Sequence, residues 1–350
     1  MFWVAPGSPD RAGMPAPHRR VGQIMRAVWY DRPGPAAEVL RVGDLPDPVA
    51  GPGEVRVRLT RSGINPGDTK KRADRFGLGL PFPRVVPHSD GAGVIDAVGA
   101  GVDPARVGRR VWVFGAQSYR PSGTAAQLTV VPDGRAVALP ATIGDDVGAA
   151  LGIPGITAHR AVFADGPVTG RTVLVHGVLG GVGTLAAQLA TWGGATVIAT
   201  VRRHADVAEA TRRTGAPVVP LDAADPAAAI RDHAPDGVDR VIEVSFSDNA
   251  DLDAAVVRNG AVIAAYATRH DRPDFPFWPM LFDNVTVRLL GSDDFPPAAT
   301  RQAAEDLTTA AAAGALSLPI AEPLPLERAA DAHDLVDAGS RERILLAVPD

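Results

Sequence analysis

The pattern of hydrophobic and polar positions divides the chain in two. Between Met25 and about Gly148, short alternating runs at 26–30, 54–61, 91–98, 109–114 and 124–131 are separated by Pro and Gly turns. Alternation of that kind predicts half-buried strands in a β-rich, loop-rich unit. Beyond Gly148 the runs become continuously apolar and alternate with Ala-rich segments. That texture predicts a parallel sheet covered on both faces by crossover helices. Its strands are expected at 172–176, 196–200, 217–220, 238–244, 260–266 and 286–290, and its helices at 183–192, 205–214, 226–234, 249–258 and 298–313. Strand-like segments at 317–321 and 344–348 leave the C-terminal stretch free to return to the first unit.

No charged residue lies between Thr172 and Val201, a run long enough to span a bilayer. Gly177, Gly180, Gly181, Gly183, Gly193 and Gly194 break it into strand, turn, helix, turn and strand, so a buried sheet is the better reading.

Composition narrows the chemistry. A chain of 350 residues is long enough for about two domains. With 35 basic against 40 acidic residues the net charge is −5, which supplies no polycationic face for nucleic acid. Cysteine is absent, which removes disulfides, thiolate nucleophiles and every cysteine-bearing zinc site. The eight histidines include no pair at the spacing that puts two imidazoles on one helical face, so no metal is expected. Residues 1–24 carry Pro6, Pro9, Pro15 and Pro17 and no apolar signal stretch, which reads as a flexible tail, with a transit peptide as the alternative, and a cytoplasmic location.

The segment from Thr172 through His176, Gly177, Gly180, Gly181, Val182 and Gly183 reads as strand, glycine turn and helix of one βαβ unit. Glycines let the backbone approach a diphosphate, whose charge suits unpaired N–H groups at a helix start. The spacing is Gly-x-x-Gly-x-x-Gly, with Val178 where the usual Gly-x-Gly-x-x-Gly fingerprint has its first glycine. Glycines that serve tight packing alone are the competing reading. At the end of the next strand the chain reads Ala-Thr-Val-Arg202-Arg203-His204, with no carboxylate to meet ribose hydroxyls. Paired guanidinium groups suit a 2′-phosphate, which favours NADPH over NADH. The alternative is that these arginines decorate a solvated loop.

Taken with the first unit, these motifs resemble the zinc-free quinone oxidoreductase, or zeta-crystallin-like, branch of the medium-chain dehydrogenase/reductase family. The likeness runs from Met25-Arg-Ala-Val-Trp-Tyr through Gly53-Glu-Val-Arg-Val-Arg, Ser62-Gly-Ile-Asn-Pro-Gly-Asp, Asp90-Gly-Ala-Gly-Val, Gly108-Arg-Arg-Val and Gly155-Ile-Thr-Ala-His to Ala347-Val-Pro. It implies an α/β protein in which a GroES-like β-rich catalytic domain, 25–148 and 316–350, carries an inserted Rossmann domain with a doubly wound parallel sheet, 149–315. Zinc-bearing members place a cysteine near Ser62 and a histidine near Ser89, so zinc catalysis is not expected here. His88 is read as an ordinary hydrogen-bonding imidazole. The resemblance also implies that Asn65 and Thr157 contact the nicotinamide end of the cofactor, and that the chain is a homodimer joined near 286–290. Asn65 and Asp68 equally suit an Asn-Pro turn that caps the backbone.

Without metal or thiol, hydride transfer must draw on the cofactor for reducing power and on the protein for position and electrostatics. A quinone or conjugated carbonyl, which spreads incoming charge onto oxygen, fits that restriction. Lys70 and Tyr119 are the candidate proton donors, against a solvated lysine and a rim or packing tyrosine. The aromatic stretch 275–282 either lines a pocket or packs between subunits. Rival functions are enoyl-thioester or enone reduction, and NADPH binding without turnover.

Overall fold

The computed structural model describes residues 24–349, so all but the last residue of the expected tail lies outside the described residues. Six strands form an all-parallel sheet in the order Val218–Pro220, Thr196–Val201, Thr172–Val175, Val238–Glu243, Val257–Ala265, Thr286–Leu289. Numbered along the chain, that order is 3-2-1-4-5-6, the doubly wound Rossmann arrangement. Its order reverses between Thr172–Val175 and Val238–Glu243, and the C-terminal ends of the strands at such a switch point are where a doubly wound sheet takes its ligand. Both faces are buried: Val173, Val175 and Ile242 pack into one core, while Leu174, Ile198, Val241 and Ile263 pack into another. This is why the strands read as unbroken apolar runs.

The other large sheet is built around Glu54–Gly63. That strand pairs antiparallel with Asp90–Val98, with Leu128–Pro132 and, at its far end, with Leu345–Ala347. Leu346 lies opposite Ser62, so the last strand of the chain closes the sheet that the first part began. Of the expected segment 317–321, only an isolated bridge from Ile320 to Arg343 forms.

A 19-residue helix, Asp145–Phe163, joins the two units and escapes sequence reading because Gly148, Gly152, Pro154 and Gly155 look like breakers. It does break, at Gly152, where the backbone leaves helical angles beside Asp90. Short helices at Pro66–Arg72 and Ala329–Asp337 were also not expected. The helix expected at 249–258 lies at Phe246–Val256, and the next strand starts at Val257 rather than 260. Among the described residues no helix is long and apolar enough to cross a membrane.

Candidate functional site

The glycine turn sits at the switch point. Gly177 follows the first strand with φ +61°, a left-handed conformation that glycine adopts without penalty. Gly180 is the N-cap of the helix Gly181–Trp192 and offers no capping side chain. The amides of Gly181, Val182 and Gly183 open that helix, where N–H groups have no intrahelical acceptor. A Cβ on Gly183 would lie 2.5 Å from the carbonyl oxygen of Gly177, so only glycine lets helix and turn close together. Thr184 Oγ1 donates to the Val178 carbonyl at 2.8 Å and fixes the turn from behind. A glycine cradle at an uncapped helix start fits the diphosphate of a nicotinamide cofactor.

Three arginines fasten the C-terminal segment beside this turn. Arg213 donates to the Leu179 carbonyl in the turn at 3.2 Å and to the Arg341 carbonyl at 3.1 Å. Arg341 pairs with Asp206 at 2.8 Å and with Glu209 at 2.6 Å. Buried Arg343 donates to the Ile64 carbonyl at 2.8 Å and to Asn65 Oδ1 at 3.0 Å. Its Cδ lies 3.6 Å from where a Gly181 Cβ would stand. Arg202 is exposed, and Arg203 leans on Asp206 at 3.3 Å. Reading residues 199–204 alone misses that carboxylate, which the following turn swings back to Arg203.

Asn65 anchors the opposite wall. Its Nδ2 donates to Asp90 Oδ2 at 2.7 Å, Asp90 Oδ1 accepts from the Ile153 amide at 2.8 Å, and Arg343 stands 3.6 Å from the same carboxylate. Asp68 Oδ2 accepts the Asn65 amide at 2.8 Å, the capping role that an Asn-Pro turn suggests. Burial raises both carboxyls, Asp90 to about 6 and Asp68 to about 7; the Asp90 charge adds to the rise at Asp68, and Arg343 opposes it at both. Thr157 is buried on the joining helix. Lys70 is exposed on the helix Pro66–Arg72, whereas its neighbour Lys71 reaches Asp293 at 3.0 Å. Tyr119 is exposed and donates to Asp294 at 2.5 Å, and Ser118 donates to Asp293 at 2.5 Å. Lys71, Ser118 and Tyr119 thus form a rim that bridges the two units.

Behind that wall runs a buried chain from Thr124 to His333. Thr124 donates to the Asp90 carbonyl at 2.6 Å, so its oxygen accepts from Ser62 at 2.8 Å. Ser62 then accepts from His88 Nδ1 at 2.9 Å, and His88 Nε2 accepts from His333 Nε2 at 2.9 Å. One direction of donation therefore assigns both tautomers, with His88 protonated on Nδ1 and His333 on Nε2. Burial holds both imidazoles neutral, His333 down to about 3 and His88 well below its ordinary value.

Among the described residues one group of three metal-capable side chains is brought together: His176, Glu243 and Asp253, all buried, with atoms within 4.8 Å of one another. His176 is paired with both carboxylates. His176 Nε2 lies 2.9 Å from Asp253 Oδ1, and His176 Nδ1 lies 2.8 Å from Thr200 Oγ1. Sequence spacing could not show this group, since its members come from the end of one strand, the residue after another, and a helix.

The zinc-binding dehydrogenase family matches residues 181–307, and the alcohol dehydrogenase GroES-like domain matches residues 51–141. The quinone oxidoreductase of Rattus norvegicus is 30% identical over 320 residues, covering 89% of this chain and 94% of that protein. The chain belongs to the medium-chain dehydrogenase/reductase family. A mycobacterial quinone oxidoreductase structure is 27% identical with a TM-score of 0.81, covering 93% of this chain and all of that one at 100%. A second mycobacterial structure, described as complexed with NADPH, is 26% identical with a TM-score of 0.78 over the same shares, 93% and 100%. Membership in the medium-chain dehydrogenase/reductase family identifies the two sheets as the GroES-like and Rossmann folds, and the chain as an oxidoreductase related to quinone oxidoreductases that uses a nicotinamide cofactor.

Proposed function

We propose that this oxidoreductase reduces quinones or related conjugated carbonyl compounds with NADPH and without a metal ion. The observation that carries the reading is the uncapped glycine turn at the sheet's switch point, set opposite Asn65 with Arg343 between them. The NADPH complex of a similar mycobacterial protein supports the choice of cofactor.

The amide of Gly180 closes the turn onto the Gly177 carbonyl at 3.0 Å, which leaves the amides of Gly181, Val182 and Gly183 to hold the diphosphate in the cradle that Gly177 and Gly180 shape, while Arg202 and Arg203 hold the 2′-phosphate. Arg343, whose Nη2 is buried without a hydrogen-bond partner, adds positive charge beside Gly181. Asn65 and Thr157 orient the nicotinamide end. Bound NADPH supplies hydride. The Asn65 amide, locked by Asp90 and Arg343, offers a preorganised dipole to charge that develops on the acceptor oxygen. The product's protons are assigned to two exposed side chains, Tyr119 on the rim and Lys70 on the neighbouring helix.

We also propose a cytosolic homodimer. Thr286–Leu289 is an unpaired edge of the parallel sheet, and Phe277, Trp278, Phe282 and Leu289 are exposed close to it in the chain. A second copy pairing edge to edge covers both features.

Chelator-treated protein should oxidise NADPH in the presence of 1,4-naphthoquinone and much more slowly with crotonyl-CoA. Turnover of the thioester alone would assign the enoyl reductase function instead, and NADPH binding with no acceptor-dependent oxidation would leave a non-catalytic binding protein.

A further inference from the structure

His176, Glu243 and Asp253 lie directly beneath the glycine turn and take no part in the mechanism above. His176 precedes Gly177, and a Cβ on Gly177 would stand 2.8 Å from Cγ1 of Val244, the residue after Glu243. The turn therefore rests on His176, which follows the strand Thr172–Val175, and on the end of the strand that carries Glu243. All three side chains are buried. His176 meets Thr200 from the second strand, Asp253 from the helix Phe246–Val256, and Glu243 Oε2 at 3.6 Å from the fourth strand. Asn249, on that helix, donates to both Glu243 oxygens at 3.1 Å, and the Ser245 amide donates to Glu243 as well. Tyr266 lies behind Glu243, whose charge bears on its phenol.

Two carboxylates out of water need compensation, and the imidazole is the basic group that touches both. With His176 protonated, Asp253 ionised and Glu243 protonated, the cluster is neutral. Once Glu243 ionises, the same cluster carries one negative charge under a turn built to receive a diphosphate. We propose that His176, Glu243 and Asp253 share protons as a positioning base for the glycine turn, and that ionisation of this base weakens cofactor binding. The inference rests on the turn being the diphosphate site. The electrostatics of the cluster agree with the geometry: burial, opposed by His176 and joined by the Asp253 charge, lifts Glu243 to about 7. For His176 burial works against the charge, but the bond to Asp253 and the charges of Asp253 and Glu243 outweigh it and raise its pKa.

The test is NADPH affinity measured calorimetrically from about pH 5.5 to about pH 8.5, on wild type and on Glu243→Gln, which keeps the shape of the protonated acid. Wild type should lose about fivefold more affinity across that range than the variant, since the ligand's own titration is common to both. Parallel profiles would overturn the proposal. Ring-nitrogen NMR of wild type covers the case of a variant that does not fold. Protons on both His176 nitrogens near pH 6 support the shared-proton base, and one bare nitrogen there, or a stoichiometric divalent ion found in the cluster, refutes it. Failure of the wild type to take up NADPH at all overturns the cofactor reading itself, whatever the NMR reports, whereas uptake with parallel profiles overturns the role of the cluster alone.

Discussion

Gly183 stands against the carbonyl of Gly177, with room for a hydrogen and none for a methyl: a Cβ there would sit 2.5 Å from oxygen and 3.0 Å from the carbonyl carbon. Backbone cannot step aside as a side chain can, so Gly183→Ala must push the helix start away from the turn. That displacement should weaken NADPH binding at least about tenfold and lower stability by ~1–3 kcal/mol, as for overpacked cores. Fluorescence titration and urea denaturation measure the two effects. Unchanged affinity would separate the turn from the cofactor.

Arg202 is exposed and Arg203 shares Asp206 with Arg341. A 2′-phosphate would add a charge-assisted contact that NADH lacks. Arg202→Ala together with Arg203→Ala should therefore weaken NADPH about tenfold more than NADH, measured by calorimetry with each coenzyme. Equal weakening would remove these side chains from the 2′-phosphate and point to Arg341, whose present partners are Asp206 and Glu209.

What the sequence made readable was whatever depends on local order. The strand, turn and helix around Gly177–Gly183 announce themselves because both the buried sheet and the close backbone approach constrain consecutive residues. The closure of the first sheet by Leu345–Ala347 was visible as a strand-like tail, although its register against Ser62 was not. The helix Asp145–Phe163 was hidden because tertiary packing overrides the breaking tendency of its glycines and Pro154. At the site, Asn65 could be singled out from its motif, but its partners Asp90 and Arg343 lie 25 and 278 residues away in the chain. The same distance in sequence concealed the His88–His333 pair and the cluster at His176.

Leu289 is 76% exposed on the free edge strand Thr286–Leu289, which ends an otherwise buried parallel sheet. An open apolar edge left in water invites strand pairing. A charged residue would be forced out of water by such pairing, at a cost that no local contact offsets. Leu289→Asp should convert a dimer to monomer at micromolar concentration, raising the dissociation constant at least about tenfold, as seen by sedimentation velocity. A dimer of undiminished strength would move the interface elsewhere.

His333 gives the fold an acid-sensitive point. Its Nε2–H is committed to His88, and its Nδ1 is buried without a partner. Burial, with help from the Arg72 charge, depresses its folded pKa to about 3, against about 6.5 for an unfolded histidine. Between those values the unfolded chain binds the proton and the folded chain does not, so this residue's contribution to stability is complete above about pH 6.5 and is lost as pH falls toward 3. The raised carboxyls of Asp68 and Asp90 act in the opposite sense. They contribute stability that is complete below about pH 4, the unfolded carboxyl value, and lost as pH rises through about 6 and 7. A wild-type profile alone would mix the two. His333→Gln keeps a donor for His88 and removes the titration, so the stability difference between wild type and variant isolates it. That difference should shrink by up to ~1.4 kcal/mol for each pH unit below about 6 in urea denaturation, to the variant's relative advantage. A difference that stays flat from neutral pH to the acid limit of folding would mean that His333 takes up its proton in the folded chain as readily as in water, and that the pair with His88 is not closed to solvent.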